Sequence, residues 1–183
     1  MNQGEPHSIR CTVAELNRLA GAEFVRVIGP VFEHSPWIAE AAWSQQPFAS
    51  LEELHRALCE TVNAAGEAKQ LALIRAHPDL VGRAALAGTL TRESTGEQAS
   101  AGLNQLSPAE VELFQKNNAA YQEKFGFPFV ICARLNKKEA ILAGFERRLK
   151  NSRAQEIRAA LAEIFKIAEL RLRDLIVAQA SCL

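Results

Sequence analysis

Residues 152–176 read SRAQEIRAALAEIFKIAELRLRDLI, and this stretch decides the fold class. Ser152 offers a helix-capping hydroxyl. After it, Ile157, Leu161, Ile164, Phe165, Ala168, Leu172, Leu175 and Ile176 recur at helical spacing. That period places them on one broad apolar stripe, with arginine, lysine, glutamate and aspartate side chains elsewhere around the helix. Such a stripe stays exposed unless other elements cover it, so the remainder of the chain is expected to carry faces of the same period.

Outward from this helix the same signals recur. Glu139 to Leu149 is a short amphipathic segment. Ser107-Pro108-Ala109-Glu110 starts another helix, with proline at its first position, an apolar face through Val111, Phe114, Ala119 and Tyr121, and Gly126 as its stop. Ser50 with Glu53 forms a capping-box pattern ahead of Leu51, Leu54, Leu58 and Val62. Thr12 with Glu15 repeats it and predicts a helix running to Ile28, where Gly29-Pro30 would stop it. The one stretch with strand character is Phe127-Pro128-Phe129-Val130-Ile131-Cys132. It is short, holds a proline and has no second strand to pair with, so it reads as a buried extended connector. No repeat, low-complexity tract or Pro/Gly-rich linker interrupts the pattern. The expectation is a single compact all-α domain over residues 1–183, of roughly seven to nine helices, with residues 1–10 as a flexible tail.

Composition narrows the class. A chain of 183 residues with 48% hydrophobic and 23% charged side chains is long and apolar enough for one core, and is not a disordered composition. Its 21 basic and 21 acidic side chains cancel, which gives no electrostatic reason to expect nucleic acid or an anionic membrane as partner. No apolar run approaches the roughly 20 residues that span a bilayer. The opening MNQGEPHSIR lacks the apolar region of a signal peptide. Ser181-Cys182-Leu183 resembles the Ser-Lys-Leu peroxisomal address only in its outer residues, so cytoplasm is the expected location. Cys11, Cys59, Cys132 and Cys182 form no C-x-x-C pair and lie near no histidine at ligand spacing, which reads as free thiols in a reducing compartment and no metal.

Three stretches interrupt apolar context with polar residues. In Ile74-Arg75-Ala76-His77-Pro78-Asp79-Leu80, the histidine follows an apolar run and precedes a helix-breaking proline. Imidazole is the side chain best suited to proton transfer near neutral pH. On spacing alone, however, a structural histidine bonded to a carbonyl is the commoner outcome. In Ser94-Thr95-Gly96-Glu97-Gln98, two polar heads sit among small residues, and Ser94 with Glu97 also fits a capping box. By pattern alone capping is the better explanation of Ser94 and Glu97, although it does not account for Gln98. In Phe129 to Ala133, followed by Arg134, an apolar connector either walls a pocket and offers backbone groups to a ligand, or simply packs in the core. The other histidines are weaker: His7 in the tail, His34 in the turn Glu33-His34-Ser35-Pro36-Trp37, and His55 among helical charges. There is no G-x-G-x-x-G, P-loop, H-E-x-x-H or G-x-S-x-G.

The motifs Glu33-His34-Ser35-Pro36-Trp37, Ala76-His77-Pro78-Asp79-Leu80, Ser94-Thr95-Gly96-Glu97-Gln98, Asn118-Ala119-Ala120-Tyr121, Phe125-Gly126-Phe127-Pro128-Phe129 and Arg171-Leu172 occur in one order from about Leu16 to Leu175. In that order the chain resembles the family of 2-oxo-4-hydroxy-4-carboxy-5-ureidoimidazoline (OHCU) decarboxylases of urate degradation. The ordered set reverses the ranking just given for His77 and Glu97. The resemblance implies an all-helical fold, frequently a homodimer, acting on a small ureide without metal or organic cofactor. It implies that His77 is the catalytic acid/base with Glu97 beside it. It further implies that Pro78, Ser94, Thr95, Gly96, Glu97, Gln98, and Phe129, Val130, Ile131, Cys132 and Ala133 hold substrate, and that Arg171 partners charge in the site. Two departures stand out. Arg134-Leu135 replaces the family's frequent Arg-Gly, and the Ser-Cys-Leu ending differs from the Ser-Lys-Leu of peroxisomal members. Two other readings use the same residues: a cofactor-free hydrolase or isomerase on a related ureide ring, and a non-catalytic helical binding module in which His77 and Glu97 are structural.

Overall fold

Thr12 opens helix α1 (Val13–Leu16): its hydroxyl accepts the Glu15 N–H at 3.2 Å, and the Glu15 carboxylate accepts the Thr12 N–H at 2.8 Å. The computed structural model describes residues 10–82, 85 and 87–177, so the expectations for the tail with His7 and for Ser181-Cys182-Leu183 fall outside the described residues. The helix does not run on to Ile28 as its spacing predicted. Asn17 donates to the Phe48 carbonyl at 2.8 Å and accepts the Phe48 N–H at 2.9 Å. That tertiary pairing anchors a break, and α2 (Gly21–Ile28) starts anew. The α-helix ends at Ile28 ahead of Gly29-Pro30, as expected, and Gly29–Val31 adds one 3-10 turn, where the missing proline N–H costs nothing.

Helices α3 (Trp37–Trp43) and α4 (Leu51–Ala64) follow. Ser50 caps α4 by accepting the Glu53 N–H at 3.2 Å, but the Glu53 carboxylate returns to Ala49 at 2.6 Å rather than to Ser50. With Phe24, Val27 and Ile28 from α2, Ile38, Ala39 and Ala42 from α3, and Leu54, Leu58 and Val62 from α4, these elements bury one core. They belong to a first compact unit, Met1–Gly66 with Ala168–Leu183. Within it Cys11 and Ile176 form a short parallel bridge, the Cys11 N–H reaching the Leu175 carbonyl at 3.1 Å.

The second unit, Glu67–Ile167, carries the rest. It contains α5 (Gly66–Ala76, from Glu67 on), α6 (Arg92–Ser100), α7 (Pro108–Phe125), α8 (Lys138–Arg148) and the part of α9 (Arg153–Leu175) up to Ile167. Ser107 and Glu110 close a capping box at the expected start of α7, and Gly126, at φ +74, ends it with its N–H on the Gln122 carbonyl at 2.8 Å. Ser152 and Gln155 exchange the same pair of bonds at the start of α9. Nine α-helices and no strand occur among the described residues, so the fold is all-α. None of these helices is long and apolar enough to cross a membrane.

Phe127 to Cys132 is a buried connector, neither helix nor strand, as expected. Its rings join an aromatic cluster: Phe129 stacks on Phe145 with centroids 3.9 Å apart, and Tyr121 meets Phe129 edge-on at 5.2 Å. A Cβ on Gly144 of α8 would lie 3.2 Å from Phe129 Cζ, so glycine there permits this close approach. The departure at Arg134-Leu135 is accommodated without glycine, because Ala133–Leu135 is a 3-10 turn and Leu135 is not among the positive-φ residues. Cys11, Cys59 and Cys132 are free thiols, and burial, aided by Glu169 and Glu60, pushes Cys59 up to about 12.

Candidate active site

Helix α5 delivers His77 one residue past its end, where the His77 N–H still reaches the Ile74 carbonyl at 3.2 Å. Pro78 prevents a further turn. The imidazole is buried, and its Nδ1 lies 2.9 Å from the Leu73 carbonyl. A carbonyl only accepts, so Nδ1 carries the hydrogen and, in the neutral ring, Nε2 carries the lone pair. The carbonyl-bonded histidine favoured by spacing alone is therefore present, and it is also the arrangement that fixes a catalytic imidazole in one tautomer.

Helix α6 corrects the capping reading of Ser94. The cap is Thr91, whose hydroxyl accepts the Ser94 N–H at 3.2 Å, so Ser94 and Glu97 both lie inside the helix. Ser94, Glu97 and Gln98 then fall at i, i+3 and i+4, on one face. Ser94 and Gln98 are buried and Glu97 is half-buried. Thr95 and Gly96 fall on the other side and are exposed. The Thr95 hydroxyl donates to the Thr91 carbonyl at 2.9 Å, and a Cβ on Gly96 would meet nothing within 4 Å.

One narrow cleft in the second unit gathers most of the expected residues. His77, Pro78 and Leu80 line it from the end of α5, and Ser94, Glu97 and Gln98 from α6. Phe129, Val130, Ile131 and Ala133 wall it from the connector, and Ile167 from α9. The space open to a water's centre is about 30 Å³. Leu80 and Ile167 were not expected; in sequence Ile167 looks like any other apolar residue of the last helix. The turn after Pro78 is held by amides: Gln98 Oε1 accepts the Val81 N–H at 3.1 Å, and Asn118 Nδ2 donates to the Leu80 carbonyl at 2.8 Å. Val81 sits at φ +54, a left-handed conformation unusual for a β-branched residue.

Cys132 is not among the lining residues. Its N–H goes to Glu163 Oε2 at 2.9 Å, and its thiol is raised first by burial and then by Glu163 and Glu97 against a lowering bond from Leu135. Arg171 is not a lining residue either. In the first unit its Nη1 lies 3.0 Å from Glu33 Oε2 and 3.4 Å from the Pro30 and Val31 carbonyls. The reason is electrostatic: Glu33 is buried, and a buried carboxylate requires a cation. Among the described residues no group of His, Cys, Asp and Glu side chains is arranged to hold a metal. The cleft thus offers one oriented imidazole, one carboxylate, a carboxamide, a hydroxyl and an apolar wall. Such a set suits proton transfer to a small polar ring held by hydrogen bonds.

The chain is 45% identical over 168 residues to the 2-oxo-4-hydroxy-4-carboxy-5-ureidoimidazoline decarboxylase of Halalkalicoccus jeotgali, covering 92% of this chain and 93% of that protein. It is 44% identical over 167 residues to the enzyme of the same name from Amia calva, covering 91% and 95%. Among solved structures it resembles that of (S)-allantoin synthase, with a TM-score of 0.74 and 30% identity over 91% of this chain and 54% of that one, so it spans about half of that protein. The model of the OHCU decarboxylase family matches residues 17–173, and the chain belongs to that family.

Proposed function

We propose that this protein decarboxylates OHCU to (S)-allantoin and CO2, a step of urate degradation. The observation that supports this reading best is the single cleft that joins His77, the Ser94, Glu97 and Gln98 face, and the wall of Phe129, Val130, Ile131 and Ala133. The substrate bears a carboxylate on a ring carbon. When CO2 leaves, the electron pair delocalises into the ring, and one carbon must then be protonated from one face. The ring is its own electron sink, so the reaction needs neither metal nor organic cofactor.

The residues divide this work. Phe129 and Ile131 shed water from the departing carboxylate. Ser94 and the Nε2 end of Gln98 orient the ring and ureido carbonyls, and Pro78 shapes the entrance beside them. His77 has Nδ1–H committed to Leu73, so Nε2 is the nitrogen that exchanges a proton with the reacting ring. Glu97 binds substrate N–H or hydroxyl groups; the His77 imidazolium gives its Nε2 proton to the carbon that CO2 has left, and the neutral ring then regains a proton from solvent. Thr95, Gly96, Cys132 and Arg171 take no direct part in this assignment. The protein works as a cytoplasmic homodimer, the state that the family resemblance supports, and sedimentation velocity at micromolar concentration should give twice the chain mass.

Urate freshly oxidised in the presence of hydroxyisourate hydrolase supplies the substrate. Added protein should release CO2 and develop the circular dichroism of (S)-allantoin much faster than the spontaneous reaction. No acceleration over the protein-free control would refute the assignment. Treatment with EDTA should leave the rate unchanged, whereas loss restored by a divalent ion would overturn the cofactor-free reading.

A further inference from the structure

The connector is gripped from behind by two charged side chains that do not line the cleft. Arg148 of α8 donates from Nη1 to the Val130 carbonyl at 2.6 Å, and its guanidinium lies 4.4 Å from the centre of the Phe129 ring. Glu163 of α9 accepts the Cys132 N–H at 2.9 Å. In extended backbone the C=O of one residue and the N–H two residues later point the same way, and the peptide groups of the residue between them point the other way. The two grips therefore bracket Ile131, which lines the cleft. Arg148 is itself fixed. It is buried, its Nε donates to Glu156 Oε1 at 2.6 Å, and Glu156 also accepts from Tyr121 and, at 2.7 Å, from Asn151. Only a guanidinium donates in several in-plane directions while its face stacks on a ring.

We infer that Arg148 and Glu163 are positioning residues: they set the main chain of Val130 to Cys132 at the spacing the substrate ring requires, without touching substrate. The inference rests on the decarboxylase reading above. A grip that served folding alone would lower the melting temperature and leave the kinetics of the folded protein unchanged. A positioning grip shifts binding of the ring, which appears in KM, whereas proton transfer at His77 appears in kcat.

The test compares wild type with Glu163→Ala, Glu163→Gln and Arg148→Lys in steady-state decarboxylation of OHCU, each first shown folded by its thermal melt. Glu163→Ala should raise KM by about tenfold with kcat little changed. Glu163→Gln keeps an oxygen that accepts the Cys132 N–H and should recover most of that loss. Arg148→Lys keeps a cation beside Glu156 but loses the Val130 bond and the stack, and should raise KM similarly. Wild-type KM in folded Glu163→Ala and Arg148→Lys overturns the inference, as does Glu163→Gln as impaired as Glu163→Ala. Should Arg148→Lys fail to fold, the two Glu163 variants decide alone. A wild-type protein that does not accelerate OHCU decarboxylation removes both the decarboxylase reading and this inference. Wild-type turnover with unmoved KM in the variants removes only the inference.

Discussion

At the scale of single residues, His77 and Glu97 reach the same cleft from different elements. His77→Asn preserves hydrogen-bonding capacity yet removes the proton carrier, so kcat for (S)-allantoin should fall by about 10² to 10⁴ with the melt nearly unchanged. Glu97→Gln keeps shape and removes charge, and should also depress kcat. If the pair acts as a unit, the double variant loses little more than the worse single one. Folded variants with near wild-type rates would show the residues to be structural. His77 was legible because a proline follows it, which marks a helix end. Its Leu73 partner was foreseen only as some carbonyl. Glu97 was ambiguous because Ser94 mimics a cap, and the competing hydroxyl, Thr91, sits three residues earlier. Arg171 was expected to partner charge, and the partner it has, Glu33, is 138 residues away in the chain; no local pattern announces such a pair.

At the scale of elements, caps and stops were the most readable features, because they are chemistry between residues three or four apart. Ser107 with Glu110 at the start of α7 is one such case. Glu110 also takes a bond from Lys138, which with the Ser107 N–H lowers its carboxyl from 4.5 to about 2. A depressed carboxylate stabilises the fold fully above its ordinary range, and the stabilisation is lost as pH falls toward the folded value. Wild type should therefore melt higher than Glu110→Gln at pH 6, and the two curves should converge as pH falls from about 4.5 toward 2. A gap that persists unchanged at the acid end would contradict this. The break between α1 and α2 was not readable, because it depends on Asn17 meeting the Phe48 backbone. The connector was readable in outline, from its proline and the lack of a partner strand. What holds it was not: in sequence Arg148 and Glu163 look like ordinary charges on the polar sides of helices.

At the scale of the molecule, the all-α class followed from the period of the apolar residues, while the burial of charge did not. The second unit centres on rings, with Phe129 and Phe145 stacked and Tyr121 edge-on to both. Phe145→Ala would open a cavity directly behind the cleft wall and should cost about 3–5 kcal/mol of stability. Chemical denaturation would read this as a lower midpoint at constant slope. A loss under about 1 kcal/mol would mean that the wall does not lean on this ring.

The narrowness of the cleft has a kinetic consequence. About 30 Å³ of space for water centres holds a water or two, whereas a pocket that envelops a ligand has a volume of about 300 Å³ or more. A ring carrying a carboxylate and a ureido arm therefore enters only those molecules whose walls have parted. Apparent affinity is reduced by the fraction so parted, about a hundredfold if one molecule in a hundred is receptive. With affinity so reduced, bound substrate leaves more often than it reacts, and kcat/KM should stay flat as glycerol thickens the buffer.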